Sequence, residues 1–123
     1  MTASGTFDVQ LEPQSDQHAP AGRMLILKEY SGGMMGKGTG QMISKRTDGG
    51  ASVYSAIEEF EGEVDGKRGS FTLFHNGYLS NDRQSLEVTI VAGSGSGELD
   101  GIQGELSIEQ RDGVHSYVLE YAY

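Results

Sequence analysis

Apolar and polar residues alternate with a period near two along almost the whole chain. Phe7, Val9 and Leu11 alternate with polar neighbours in a first segment. Met24 to Tyr30 forms a second run that begins apolar on both parities, and Gln41 to Thr47 is a weaker third. Ala51 to Phe60 carries Tyr54, Ala56, Glu58 and Phe60 on one parity, and Ser70 to Tyr78 makes a fifth segment. Leu86, Val88 and Ile90 mark a sixth, Leu106 and Ile108 a seventh, and Val114 to Tyr123 the last. Side chains two apart in a strand share a face, so this pattern predicts strands. Only Ile57 to Phe60 has a helical look, and its flanks on both sides argue for strand.

The runs are separated by Ser31-Gly32-Gly33, Asp48-Gly49-Gly50, Asn81-Asp82, Gly93 to Gly97 and Asp112-Gly113. These residue types supply the positive φ angles of tight turns. Asp112-Gly113 is the strongest hairpin signal, and Pro13 to Pro20 reads as a loop. Seven or eight short strands between turns indicate an all-β sandwich or barrel. Closure removes the exposed edges of a long meander, which favours a single antiparallel closed barrel of about eight strands, with residues 1–123 as one domain.

Composition narrows the function classes. Nine Lys and Arg against eighteen Asp and Glu give a net charge of -9, which argues against nucleic acid and anionic membrane as partners. With no cysteine there is no disulfide framework or thiol nucleophile. The first residues carry no secretory signal pattern, and no apolar run approaches the roughly twenty residues of a membrane span. A cytoplasmic location is the expectation. No cofactor is expected, and no metal: of His18, His75 and His115, the first lies in a loop, and a barrel site would need a further ligand such as Glu58.

Two glycine-rich stretches come near catalytic motifs and miss. Ser31 to Thr39, SGGMMGKGT, has Ser31 and Gly38 at the wrong places for a phosphate loop. Gly93 to Gly97 has Gly95 where a nucleophile elbow needs serine. Both read as turns.

An internal repeat is more specific. Gly62 to Leu73, GEVDGKRGSFTL, and Gly97 to Ile108, GELDGIQGELSI, align without a gap, 35 residues apart. Each copy reads as a short strand, an Asp-Gly turn, a second glycine and a new strand, the mark of two similar barrel corners. The stretch Ser94 to Ile108 resembles the glycine-rich corner of allene oxide cyclases and dirigent proteins, which share a small antiparallel barrel. GTFDVQL, VYSAIEEFEGEVDGKRGSFTLFHNG, SGSGELDGIQGELSI and DGVHSYVLEY together are similar to a bacterial family of uncharacterised proteins on that barrel. The resemblance implies the allene oxide cyclase-like barrel. It brings no function, because the cyclase likeness is confined to the corner.

Glu58 is the sharpest chemical candidate. On the parity of Tyr54 and Phe60 it would line the barrel as an acid, a base or a stabiliser of developing positive charge. In the other register Val53, Ser55 and Ile57 face inward and Glu58 faces water. His75 shares a parity with Phe71 and Leu73, and His115 with Tyr117, Leu119, Tyr121 and Tyr123, so Glu58, His75 and His115 are the candidate catalytic set. Tyr54, Phe71, Leu73, Tyr117 and Tyr121 are candidate lining for a mostly apolar ligand, with Arg68, between Gly66 and Gly69, a candidate for an anionic group at a barrel mouth. Each has a plainer reading, as core packing or a solvated turn cation. Three functions follow: a barrel binding a mostly apolar small molecule, a cofactor-free isomerase or cyclase on the same cavity, or a structural barrel filled by its own side chains. The run Met24 to Leu27, apolar on both faces, also suggests a homo-oligomer.

Overall fold

The computed structural model describes all 123 residues. The strands are β1 (Thr2–Gln14), β2 (Gly22–Gly32), β3 (Met34–Arg46), β4 (Ser52–Val64), β5 (Lys67–Leu79), β6 (Gln84–Ile90), β7 (Ser96–Gly97), β8 (Gln103–Arg111) and β9 (Val114–Ala122). They form one antiparallel sheet in the order β4-β3-β2-β1-β9-β8-β6-β5, with the two-residue β7 on β5, and β4 pairing with β5 to close the ring. The fold is therefore all-β, a closed eight-stranded barrel plus one short extra strand. No helix is long and apolar enough to cross a membrane.

Turn chemistry sets the corners. Asp65-Gly66 joins β4 to β5 and Asp112-Gly113 joins β8 to β9, and both residues of each pair take positive φ (48° and 86°, 53° and 78°). This is the backbone of a two-residue turn whose twist matches that of the flanking strands. Inward parity then follows from register: Ala56, Glu58, Phe60 and Val64 on β4 and Phe71, Leu73 and His75 on β5 are all buried.

One expectation needs correction. Ser31 to Thr39 is not simply a glycine-rich turn, because β3 begins at Met34 rather than near Gln41. The inward positions Gly36, Gly38 and Gly40 have no side chain to announce a buried face.

The two ends of the barrel differ. At one end Ala3, Met34, Val64, Leu99, Ile102 and Tyr121 are buried together, and Tyr121 donates a hydrogen bond to the Asp65 carboxylate. Both copies of the repeat lie here and pair with each other, Gly69 opposite Gly97 and Ser70 opposite Ser96. The second copy departs from a simple hairpin. Leu99 N–H donates to Ser96 C=O and Ile102 N–H to Leu99 C=O, so the chain coils tightly and drives both apolar side chains into the end of the barrel. The other end, where β1 and β3 finish and β9 starts, carries half-buried and exposed residues. The wall is also loose between β6 and β8, which share only the Thr89–Glu105 pairing.

Leu99 is fully buried and plugs the closed end. Leu99→Ala should lower stability by about 3 kcal/mol, measured as a shift in the urea midpoint at unchanged slope.

Candidate functional site

A buried ionic cluster occupies the middle of the barrel. Glu58 points inward from β4 and is 2% exposed. Its Oε1 accepts from Lys28 Nζ of β2 at 3.0 Å and shares a hydrogen with His75 Nε2 of β5 at 2.8 Å. Its Oε2 accepts from the Tyr30 hydroxyl at 2.5 Å. An ionised carboxylate only accepts, so the shared hydrogen sits on His75 Nε2. Lys28 Nζ also lies 4.6 Å from the centre of the Phe7 ring. No buried side-chain nitrogen or oxygen in the chain lacks a partner.

The strand between these groups is bare by necessity. Gly38 on β3 sits opposite Lys28 on one side and Phe60 on the other. A Cβ at Gly38 would stand 2.1 Å from Glu58 Oε2 and 3.0 Å from the Tyr30 ring. The missing side chain is the space in which the carboxylate and the phenol meet.

The electrostatics are one-sided. Burial pushes the Glu58 carboxyl up, but the His75 hydrogen bond, the Lys28 charge and the Tyr30 hydrogen bond outweigh it and hold the pKa at about 2. Burial first, then the Glu58 charge, drive the Tyr30 phenol far above its usual range, so it remains a donor. Burial, then Glu58, also raise the phenol of Tyr54.

Tyr54 borders a different feature. At the open end Met42, Ser44, Tyr54, Gly77 and Leu86 on the inward parity, with Lys45, Val53 and Tyr78 over the rim, help line a hollow of about 400 Å³. The Tyr54 ring lies over Gly77, where a Cβ would be 2.3 Å from Tyr54 Cε1. The bare position lets the ring lie against the wall of the hollow.

The other sequence candidates are dispersed. His115 faces the interior, stacked on Phe7 at 5.1 Å between ring centres, and makes no hydrogen bond to Glu58. Phe71 and Leu73 are fully buried core. The Tyr117 hydroxyl accepts from Met34 N–H and donates to Ser31 C=O, both at 2.8 Å, so it ties two strands together. Tyr121 sits at the closed end on Asp65. Arg68 is exposed at that same end, outside the barrel, with its N–H donating to the Glu98 carboxylate. Of the six lining candidates only Tyr54 reaches the hollow. Lys28 and Tyr30 were not among the candidates. Their signal was present: Lys28 sits on the parity of Met24, Ile26 and Tyr30, a charge on an otherwise apolar face, as Glu58 is in its own strand.

The barrel with this interior defines a class, a small closed antiparallel barrel around a buried Glu–Lys–His–Tyr cluster. The chain belongs to the DUF3224 family, proteins of unknown function, whose family model matches residues 3–121. A solved structure of a DUF3224-family protein of unknown function from Shewanella oneidensis MR-1 is 31% identical. It superposes with a TM-score of 0.93 over 100% of this chain and 97% of that one. Among curated proteins none matches.

Two outcomes test the cluster. The Glu58 pKa is lowered from an unfolded value near 4.5 to about 2, so its stabilisation is complete above about pH 4.5 and is lost as pH falls towards 2. Glu58→Gln, which leaves Lys28 buried without its counter-charge, should cost roughly 3 kcal/mol at pH 7. That difference from wild type should shrink through the same pH window in urea titrations. Gly38→Ala should force Glu58 off its donors, at a cost of about 1–3 kcal/mol, and move the carboxyl's titration, followed by side-chain carbonyl NMR, back towards the ordinary range.

Proposed function

We propose that the protein binds a small, mostly apolar molecule in the hollow at the open end of the barrel. The observation that carries this reading is the hollow itself. Its volume of about 400 Å³ falls in the range of small-molecule sites, and Met42, Tyr54 and Leu86 give it apolar lining beside Ser44. Access is from the open end, since the other end is sealed by Leu99 and Ile102.

A second reading has its own observation. The pairing of His75 with Glu58 at 2.8 Å is an acid–base pair of the kind a cofactor-free isomerase or cyclase uses. The two readings differ in what Glu58 does. A binding protein holds its ligand by the hollow, whereas an enzyme moves a proton through the cluster.

Native mass spectrometry of freshly purified protein, compared with the denatured chain, should reveal an added mass that leaves on denaturation. Ser44→Phe, which fills the hollow, should abolish that mass while the circular dichroism of the barrel is kept. Glu58→Gln, studied below its unfolding temperature, should retain the molecule unaltered. Recovery of a chemically converted molecule from wild type, and of the unconverted one from Glu58→Gln, would favour the enzyme. A bare chain mass in wild type and a hollow indifferent to Ser44→Phe in probe titrations would sink the binding reading.

A further inference from the structure

The outer face of β3, β4 and β5 carries more apolar surface than a barrel exposed to water needs. Ile57 is 61% exposed, Ile43 54%, Phe74 42%, Val53 41% and Tyr78 36%. The strand register pairs them across strands: Ile57 stands opposite Phe74, and Val53 opposite Tyr78, with the Ser55–Asn76 pair in the row between. Ile43 pairs with Ser55, one outward position from Ile57 along β4. Single exposed apolar side chains are ordinary, but five on three neighbouring strands of one face mark an interaction surface.

The charges around the patch are arranged unevenly. Lys45 pairs with Val53 at the edge nearest the open end. Glu59 lies at the opposite edge, its carboxylate held towards β5 by the Thr72 hydroxyl at 2.8 Å. Neither Lys45 nor Glu59 forms an ion pair within its own chain. The apolar group lies between a cationic edge and an anionic edge on the same few strands.

The geometry points to a second copy of this chain as the occupant, docked face to face as a two-fold dimer. An axis in the plane of contact, crossing the strands between the Ser55 and Ile57 rows, lays the Lys45 edge of each copy over the Glu59 edge of the other. Ile43, Ile57 and Phe74 of both copies then interleave between two ion pairs. Such an interface is self-complementary, as two-fold symmetry requires. It also brings local attraction to molecules whose net charge of -9 otherwise makes them repel. Because the barrel is closed, association uses side chains on a sheet face and adds no strand to an edge.

Sedimentation equilibrium of the full chain tests this. Wild type should be dimeric, and Ile57→Glu, at an exposed position that leaves the barrel intact, should weaken association by at least about tenfold. Lys45→Glu and Glu59→Lys should each weaken it, by placing like charges opposite one another, and the two together in one chain should restore it. Raised salt should weaken wild type and rescue either single variant in part. A wild type that stays monomeric to about 100 µM would overturn the inference. So would a dimer unmoved by Ile57→Glu, which would use another face or another occupant of this one, or a double variant no better than the singles.

Discussion

The carboxylate of Glu58, held inside the barrel by Lys28, Tyr30 and His75, constrains more of this structure than any other contact. A buried charge is tolerated only when it is paired and hydrogen-bonded. Here the donors come from β2 and β5, on either side of the β3–β4 pair. All four strands must therefore hold one register. A slip of one residue in β4 would turn Glu58 out and Ile57 in, and leave Lys28 buried without its counter-charge. The glycine at position 38 belongs to the same constraint, since a methyl group there would occupy the space of the carboxylate. Polar satisfaction in the interior thus works as a register lock on half of the barrel.

The rest of the interior divides the labour along the barrel axis. Phe60, Phe71, Leu73, Tyr117 and Leu119 fill the half towards the closed end, all at or near zero exposure. The two repeat copies seal that end, and their pairing across β5 and β7 explains why a short glycine motif recurs: the third glycine of one copy, Gly69, meets the first glycine of the other, Gly97. A Cβ on Gly69 would stand 2.0 Å from the Ser96 carbonyl oxygen, so the approach depends on its absence. With stability concentrated there, the open half is free to keep a hollow and a loosely paired β6–β8 seam. That separation suits a scaffold whose variable chemistry sits at one mouth.

Much of this was legible in the sequence, and the exceptions have physical reasons. Alternation and Asp-Gly turns carried the barrel, because period-two patterning is strong wherever one face is buried and apolar. The inward parity of Glu58 could be named as one of two registers but not chosen, since Glu59 beside it is equally polar and only the partners across the barrel decide. The early part of β3 was invisible because a strand faced with glycines has no alternation to read. Phe71, Leu73 and Tyr117 read equally as core and as lining, since an apolar inward residue looks the same whether it fills a barrel or faces a space inside it. Lys28 and Tyr30 were missed for a different reason. The inward parity of Lys28 could be read locally, but its partner could not: Lys28 and Tyr30 lie 30 and 28 positions from Glu58, and no local pattern reports a contact made between strands so far apart in sequence.

The energetics of the cluster bear on what it is for. Apolar residues of similar volume in place of a buried ion pair often leave a protein equally or more stable. Stability alone therefore does not require Lys28 and Glu58, although removing either one alone is costly. The same low-dielectric setting fixes protonation: the carboxylate stays ionised because the His75 hydrogen bond, the Lys28 charge and the Tyr30 hydrogen bond outweigh its burial, and the Tyr30 phenol stays neutral because burial first, and then the Glu58 charge, raise it. Tyr54, part of the wall of the hollow, has its phenol raised by burial first and then by the same carboxylate. Any molecule seated against the Tyr54 ring would meet a phenol whose proton is held more tightly, first by burial and then by the Glu58 charge.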